Sequence, residues 1–133
     1  MKSKGVIVET DLIADYLLCG QSPSVLRSAL QTFTCYTTFV QISELLQCAT
    51  TEYQKRCVLD AISLLRPLGS HPRYSEAIAE MLRRLEIASP SERFRCAVTG
   101  AISQQAKLPI LTERYQSIYS RLEILAIMPD SIR

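Results

Sequence analysis

The segment VIVETDLIADYLL, residues 6–18, contains the change of pattern that indicates the fold. Its first three residues are a continuous β-branched run, which is typical of a strand buried on both faces, as in a parallel sheet. Glu9-Thr10-Asp11 ends this run, and the apolar spacing from Leu12 to Leu18 predicts a helix. A buried strand that leads directly into a helix favours an α/β fold.

The alternation of strands and helices continues along the chain. Further strands are predicted at 35–40, 66–69, 108–111 and 124–128, and helices at 22–30, 74–85, 89–106 and 115–122. Residues 42–65 are interpreted as one long helix or as two helices that meet near Thr50-Thr51. We therefore expect residues 1–133 to form a single domain, a three-layer α/β/α sandwich with a central parallel sheet and right-handed crossovers.

The composition limits the classes of protein to which the chain can belong. Of its 133 residues, 47% are hydrophobic and 21% are charged, which is the balance of a folded globular protein and not of a disordered one. The net charge of +2 is too small to indicate a dedicated binder of polyanions. No stretch reaches the roughly 20 apolar residues of a membrane helix, and the N-terminus lacks the pattern of a signal peptide. We expect a soluble, cytoplasmic protein.

Cysteine and histidine usage argues against two further kinds of site. The five cysteines are an odd number, and no two have the C-x-x-C spacing of a zinc site. We interpret all five as buried hydrophobic residues in a reducing cytoplasm. His71 is the only histidine and precedes Pro72 in a predicted turn, so Ser–His and Cys–His hydrolase schemes are poorly supported.

Acidic residues follow three of the predicted strands. Glu9 and Asp11 follow the first strand, Glu44 follows the second, and Glu113 follows the penultimate strand, next to Arg114. The carboxyl ends of parallel strands meet at one crevice, where ligands bind in such folds. Clustered carboxylates at that position indicate a site for a hard divalent cation such as Mg²⁺.

Four segments, taken in order, resemble the motifs of one known protein family. They are the apolar strand, acidic turn and helix of 6–17, the segment 38–46 with its Glu-Leu pair, the helix and strand of 96–112 that end in a threonine, and the closing strand of 124–129. In this order and spacing the chain is similar to the PIN-domain family, in particular to its toxin-type, VapC-like members. The similarity covers nearly the whole chain.

The resemblance implies a function as well as a fold. PIN domains have a central parallel sheet with helices on both sides, and the family cleaves RNA with the help of Mg²⁺ or Mn²⁺. Many small members are the toxins of bacterial toxin–antitoxin pairs, and they often form homodimers. The chemistry needs clustered carboxylates because a metal ion must polarise a phosphoryl oxygen and activate a water. RNA, an antitoxin-like protein and a second copy of the chain are therefore the expected partners.

The resemblance also carries four acidic positions of the family onto this chain. The first corresponds to Glu9, which keeps the charge on a side chain one methylene longer, and the second to Glu44. The third falls on Cys96 and the fourth on Arg114, so two of the four acids are lost. Asp11 corresponds to a secondary polar residue that can still donate an oxygen. The expected catalytic and metal-binding residues are therefore Glu9, Asp11 and Glu44.

Of the two positions at which this chain lacks a family acid, Arg114 has the stronger electrostatic consequence, because the sign of the charge is reversed. An arginine that points into the acidic cluster relieves the repulsion between Glu9 and Glu44 by itself, through charge-assisted hydrogen bonds. If Arg114 points inward, we therefore expect weak or absent Mg²⁺ binding. A shift of one residue in the loop would instead place Glu113 at the family position and restore an acid.

These observations leave three functional hypotheses. The first is a toxin-type, metal-dependent endoribonuclease whose catalysis is weakened by the two lost acids. The second is a non-catalytic PIN-like pseudo-nuclease that acts as an RNA- or protein-binding homodimeric module. The third is a purely structural dimer or partner-binding module whose apolar helices at 12–18 and 42–49 form the interface. One further set is interpreted as a solvated helical face, or as contacts for RNA phosphates if it lines the crevice: Arg83, Arg84, Arg93 and Arg95.

Overall fold

Five strands form one parallel sheet in the computed structural model, which describes residues 4–18, 24–86 and 88–131. The strands are β1 (Gly5–Val8), β2 (Thr34–Thr38), β3 (Arg66–Leu68), β4 (Ile110–Leu111) and β5 (Ala126–Ile127). Their order across the sheet is β3-β2-β1-β4-β5, and every neighbouring pair is parallel. The strand with the continuous β-branched run is therefore the central one.

Seven α-helices occur within the described residues. They are α1 (Thr10–Leu18), α2 (Val25–Thr32), α3 (Phe39–Cys48), α4 (Glu52–Ile62), α5 (Ser75–Arg84), α6 (Pro90–Ala106) and α7 (Gln116–Arg121), with short 3₁₀ segments at Pro72–Tyr74 and Pro129–Ser131. The segment 42–65 forms two helices, because Thr51 caps the second: its hydroxyl accepts a hydrogen bond from the Gln54 N–H at 3.1 Å. None of the helices in the described ranges has both the length and the hydrophobicity needed to cross a membrane.

Several expected element boundaries differ in the structure, since the strands expected at 108–111 and 124–128 are shorter, and two of the differences have a clear cause at a helix start. The strand expected at 35–40 ends at Thr38, because the Thr38 hydroxyl accepts a hydrogen bond from the Val40 N–H at 3.1 Å and so begins α3. The helix expected at 22–30 has Ser24 as its N-cap, whereas the first two residues of that range lie outside the described residues. At each of these two positions a side-chain cap marks the start of the helix.

Helices cover both faces of the sheet and bury a hydrophobic cluster on each. Val6 and Val8 of β1 face the first cluster, Ile7 faces the second, and all three are completely buried. Side chains of α1 to α4 complete the first cluster, and side chains of α5, α6 and α7 form most of the second. The three-layer α/β/α arrangement with a central parallel sheet is therefore confirmed.

The apolar faces of α1 and α3 point into this core. Leu12 and Ile13 of α1 and Leu45 of α3 are buried. These three residues stabilise the chain itself, so the interface expected from 12–18 and 42–49 would have to use the other apolar side chains of these helices. Leu18, the last residue of α1, is 86% exposed.

The cysteines divide between the core and the surface. Cys35 and Cys96 are buried as expected, but Cys48 is exposed and Cys57 is partly exposed. The expectation of burial is wrong for these two, because Cys48 is the last residue of α3 and Cys57 lies on α4, most of whose side chains face solvent. Cys19 lies outside the described residues.

Candidate functional site

The expected crevice lies at the carboxyl ends of β1 and β4. From β1 the chain proceeds to β2 and β3 on one side of the sheet, and from β4 it proceeds to β5 on the other side. Ligands bind at such a switch point in open α/β sheets. Glu9 directly follows β1, and Thr112 directly follows β4, so both residues lie at this point.

Glu9 is a completely buried carboxylate. Its Oε1 accepts hydrogen bonds from the Thr10 N–H and from Gln41 Nε2, both at 3.0 Å, and from Arg95 Nη2 at 2.5 Å. Its Oε2 accepts hydrogen bonds from Arg95 Nη1 at 2.6 Å and from the Tyr119 hydroxyl. These donors use the whole acceptor capacity of the carboxylate.

Arg95, near the start of α6, forms ion pairs with both expected site acids. Its Nη1 and Nη2 bind the two oxygens of Glu9, while its Nε and Nη2 bind the two oxygens of Glu44 at 2.9 and 2.8 Å. Nη1 also lies 3.4 Å from both the Tyr119 hydroxyl and the Cys96 sulfur. The guanidinium is thus held in two bidentate pairs, the geometry in which arginine binds carboxylates most strongly. We call Glu9, Glu44 and Arg95 the ion cluster.

Neighbouring side chains hold the ion cluster in place. The ring centroid of Tyr115 lies 4.2 Å from the guanidinium carbon, within the range of a cation–π contact. The Thr10 hydroxyl donates a hydrogen bond to Glu44 at 2.6 Å. Gln41 Nε2 donates to the Thr99 hydroxyl at 3.0 Å as well as to the buried acid, so α3 and α6 are joined through one amide. The cluster is therefore a fully hydrogen-bonded network, which is rigid when all its members have partners.

The pKa values follow from these contacts. Burial alone would lower the pKa of Arg95, but its hydrogen bonds to Glu9 and Glu44 outweigh burial and raise the pKa above its ordinary value. Burial alone would raise the pKa of Glu44, yet hydrogen bonds from Arg95 and Thr10 lower it overall. Burial raises the pKa of Tyr119 well above its ordinary value, and the charge of Glu9 acts in the same direction. At neutral pH the site therefore contains a permanent cation and a protonated phenol.

Asp11 makes a separate set of contacts. Its Oδ2 accepts hydrogen bonds from the N–H groups of Glu113 and Arg114, both at 3.0 Å, and its Oδ1 accepts one from the Thr112 hydroxyl at 3.3 Å. Asp11 thus joins the start of α1 to the turn that follows β4. None of its hydrogen bonds in the described part of the chain reaches the ion cluster. The structure therefore brings together two of the three expected metal ligands and gives the third a role in fixing a turn.

Arg114 forms no hydrogen bond or ion pair with Glu9 or Glu44 among the described residues. Burial raises the pKa of Glu44 and its hydrogen bonds lower it, and the charge of Arg114 adds to this lowering. Its side chain is 66% exposed, its Nη2 lies 3.8 Å from a carboxylate oxygen of Glu92, and its Cζ lies 5.3 Å from the ring centroid of Tyr115. The condition set for Arg114, that it binds the two acids directly, is not met, because its guanidinium lies beside Glu92 at the start of α6. An arginine does neutralise the acids, but it comes from a different element.

Cys96 and Glu113 also lie outside the acid pair. Cys96 is completely buried in the second hydrophobic cluster, and burial raises the pKa of its thiol, which therefore stays protonated at neutral pH. Glu113 is exposed, and its side chain lines a groove of about 360 Å³ together with Asp11, Asp15 and Arg114. The loop shift that would bring Glu113 to the acids is not seen.

The ion cluster does not suit a divalent cation. Mg²⁺ requires several oxygen ligands at about 2.0–2.1 Å in octahedral geometry. Both oxygens of Glu9 are already bound to donors, and a guanidinium lies between Glu9 and Glu44. Within residues 4–18, 24–86 and 88–131, no group of three or more His, Cys, Asp and Glu side chains could hold a metal ion. The residues present fit an internal ion pair and not a metal centre.

Arg95 is the site residue that the sequence reasoning missed. The interpretation of Arg95 as part of a solvated face is wrong, since the residue is only 7% exposed. A signal was present: residues 96–102 are small or apolar around the whole helix, which is typical of a helix buried on all sides. A cation next to such a run needs a buried partner, but the pattern does not identify which acid supplies it.

The sequence matches no known protein-family model and no curated protein. Solved structures nevertheless match it over most of its length. The chain is similar to VapBC2 from Rickettsia felis bound to a DNA fragment from their promoter (TM-score 0.72, 11% identity, 93% of this chain and 98% of that chain). It is also similar to a toxin–antitoxin complex from Klebsiella pneumoniae (0.70, 13%, 93% and 97%) and to VapBC-1 from nontypeable Haemophilus influenzae (0.72, 11%, 95% and 98%).

The chain has the fold of these proteins. The PIN-like fold class expected from the sequence is therefore confirmed. At identities of 11–14% the likeness concerns the fold alone, and residue roles have to be argued from the site itself.

Proposed function

We propose that this chain is a PIN-like protein of the toxin–antitoxin type that does not cleave RNA at the Glu9–Glu44 site and acts by binding a protein partner. One observation carries the proposal: the guanidinium of Arg95 binds both acids. The resemblance to PIN nucleases assigns that position to Mg²⁺ or Mn²⁺, which would polarise a phosphate and activate a water there.

An arginine that is used in this way cannot replace the metal in catalysis. A cation that stabilises phosphoryl transfer must face the substrate and direct its charge or its N–H groups at phosphate oxygens. Arg95 is only 7% exposed, and its N–H groups are directed at Glu9, Glu44 and the neighbouring Tyr119 and Cys96. It therefore neutralises the acids without offering a binding position to RNA.

The acids of the cluster are also poorly suited to activate water. A general base must reach the proton that it removes and must have a pKa near the working pH. Glu9 is completely buried. Although burial acts in the opposite direction, hydrogen bonds from Arg95 and Thr10 lower the pKa of Glu44, which makes this carboxylate a weaker base.

The proposed partner is an antitoxin-like protein. Solved proteins that share the fold were studied as a toxin–antitoxin complex and as VapBC assemblies, one of them bound to promoter DNA. Combined with a site that favours no catalysis, this likeness supports a role in partner binding. We further propose that the chain works in the cytoplasm and forms a homodimer, as its resemblance to small PIN-domain toxins implies.

A cleavage assay with a matched variant tests the loss of catalysis. Structured RNA is incubated with the purified chain in EDTA, Mg²⁺ or Mn²⁺, and the products are compared with those of Glu44→Gln. Glu44 is chosen because its side chain is 33% exposed, so the fold tolerates its neutralisation better than that of Glu9. We expect no metal-stimulated product from either protein. A Mn²⁺-dependent product that the wild type forms and Glu44→Gln does not form would refute the proposal.

That outcome would support the second candidate, an active but weakened endoribonuclease that uses Mg²⁺ or Mn²⁺. The convergence of Glu9 and Glu44 at the switch point favours this candidate, as does Asp11, which binds Thr112 at the end of the neighbouring strand β4. It requires Arg95 to leave both acids when metal and RNA bind.

Co-expression tests the partner. If a small gene adjacent to the one for this chain encodes an antitoxin-like protein, we expect the two products to co-elute from a sizing column at the mass of a complex. The chain alone, measured by light scattering over a range of concentrations, gives its own oligomeric state as the control. Separate elution of the two folded proteins would contradict the partner proposal.

A further inference from the structure

We infer that the guanidinium of Arg95 is the permanent counter-ion of this site, in the place that the PIN resemblance gives to a divalent metal ion, and that its removal converts the Glu9–Glu44 pair into a Mn²⁺-binding site. The inference deepens the proposed function and rests on it, because a chain with a built-in cation needs no metal to hold its acids together. It concerns Arg95, to which the resemblance assigns no role.

The position of the guanidinium carries the argument. It bridges two carboxylates from different elements, with N–O distances of 2.5 and 2.6 Å to Glu9 and of 2.8 and 2.9 Å to Glu44. All four carboxylate oxygens are therefore turned toward one cationic group. A small divalent ion with oxygen ligands requires the same convergence of carboxylates on one point.

The charges are consistent with an exchange of cations. Two carboxylates and one guanidinium carry a formal charge of −1. A divalent cation in place of the guanidinium would make the cluster neutral. Without Arg95, the hydrogen-bond donors left to Glu9 among the described residues would be neutral: Thr10 and Gln41 would hold one oxygen, and Tyr119 the other. The charge of Arg114 also acts on Glu44, but its side chain is 66% exposed and forms no ion pair with either acid, so water screens it. Two adjacent carboxylates without a counter-ion repel each other, and they must take up either a proton or a cation.

Oxygen atoms would form one side of the space that the Arg95 side chain leaves. The Thr10 hydroxyl lies 2.6 Å from Glu44 and 3.3 Å from Arg95 Nη2, so it would border the vacated position together with both carboxylates. Carboxylate, hydroxyl and water oxygens are the ligands that Mg²⁺ and Mn²⁺ prefer. Other groups also border this space: the Tyr119 hydroxyl, the ring of Tyr115 and the neutral sulfur of Cys96. The sulfur is a poor ligand for these ions.

Two substitutions of Arg95 test whether Mn²⁺ binding requires the space that the side chain leaves or only the loss of its charge. Arg95→Ala removes the charge and opens space for a hydrated ion, whereas Arg95→Met removes the same charge but fills the space with an apolar side chain. Mn²⁺ binding is measured at neutral pH by the electron paramagnetic resonance signal of free Mn²⁺ and by the Mn²⁺ dependence of the thermal midpoint. We expect one ion per Arg95→Ala chain, bound at least about tenfold more tightly than by the wild type or by Arg95→Met.

The double variant Glu44→Gln/Arg95→Ala is the control for the ligands. We expect it to lose the binding that Arg95→Ala gains, because one of the two carboxylates is gone. If Arg95→Ala folds only when Mn²⁺ is added, that requirement for metal supports the inference, provided that the double variant is not rescued. If Arg95→Ala gains no Mn²⁺ binding, or is not rescued by Mn²⁺, the pair takes up a proton instead and the inference is overturned.

A second test of the inference measures Mn²⁺ binding by the wild-type protein, and it does not depend on the stability of any variant. We expect no bound Mn²⁺ at millimolar concentrations and no change of thermal midpoint with EDTA. Mn²⁺ bound by the wild type and lost in Glu44→Gln would overturn the inference. Failure of the proposed function is distinguished by other readouts: metal-independent RNA cleavage, or the lack of a protein partner, refutes that function and leaves the exchange of cations at Arg95 unaffected.

Discussion

Replacing Arg95 with methionine tests how strongly the ion cluster stabilises the fold. The change keeps most of the aliphatic stem and leaves the carboxylate of Glu9, which is completely buried, without its charged partner. Removal of one partner of a buried ion pair costs about 3–5 kcal/mol, because the other charge remains uncompensated. We expect the lower part of that range, since Gln41 and Tyr119 continue to donate to Glu9 and Glu44 is exposed enough to be rehydrated.

Such a loss is a large part of the 5–15 kcal/mol by which domains of this kind are stable, as a rough guide. For a domain of this size it corresponds to a decrease of roughly 10–20 °C in the thermal midpoint. The assay is thermal and urea-induced unfolding followed by circular dichroism, with the free energy of unfolding compared between wild type and variant.

Arg83→Met is the matched control. Arg83 pairs with Glu80 at the same N–O distance of 2.5 Å as the pair of Arg95 Nη2 and Glu9 Oε1, but the side chains of Arg83 and Glu80 are 66% and 52% exposed. We expect little measurable change there, because water screens an exposed pair. The double variant Glu9→Gln/Arg95→Met should recover part of the loss, since it removes both buried charges. If Arg95→Met destabilises the chain no more than Arg83→Met does, burial does not strengthen this ion pair and the reasoning fails.

Three further predictions concern the surroundings of the ion cluster. Although burial raises it, hydrogen bonds in the cluster hold the pKa of Glu44 below its ordinary 4.5. Glu44 therefore stabilises the fold above that pH and loses its contribution as the pH falls, so Glu44→Gln should flatten the decline of the thermal midpoint below about pH 4.5. Asp11→Ala should cost about 1–2 kcal/mol in unfolding experiments, because two backbone N–H groups lose their acceptor, whereas Arg114→Ala should cost less than about 1 kcal/mol. Site-resolved alkylation should modify Cys48 at least about tenfold faster than Cys96, whose thiol is buried and protonated.

Each of these predictions has an outcome that contradicts it. An unchanged acid-side slope in Glu44→Gln would mean that this carboxylate is not held ionised by its neighbours. A larger loss from Arg114→Ala than from Asp11→Ala would show that the exposed guanidinium, and not the capped turn, stabilises this end of the sheet. Equal alkylation of Cys48 and Cys96 would contradict the burial of the second thiol.

Local patterns were sufficient to predict most of the secondary structure. The β-branched run at residues 6–8 predicted a strand buried on both faces, and the structure places it at the centre of the sheet. The helix expected at 74–85 is found at Ser75–Arg84 because its apolar residues recur with helical spacing. The end of β2 was misjudged, since Phe39 and Val40 have strand-like side chains but follow a threonine that caps α3.

The convergence of the acids was also predictable, and their neutralisation was not. Glu9 and Glu44 follow neighbouring parallel strands, whose carboxyl ends must lie at one edge of a sheet. The sequence correctly indicated that an arginine would matter here, but it indicated Arg114, at the strand end, instead of Arg95. The rule that ligands bind at the carboxyl ends of parallel strands identifies residues that follow strands, whereas Arg95 lies in the first turns of helix α6.

The sequence by itself therefore determined the alternation of strands and helices, the parallel sheet and the edge at which acidic residues meet, because these depend on periodicity and on short-range caps. Only the tertiary structure decided which cation the acids receive. Arg95 and Glu9 are 86 residues apart in the sequence, and their contact depends on how α6 packs beside the carboxyl end of β1. Such long-range geometry comes from the packing of whole elements, which no local pattern encodes.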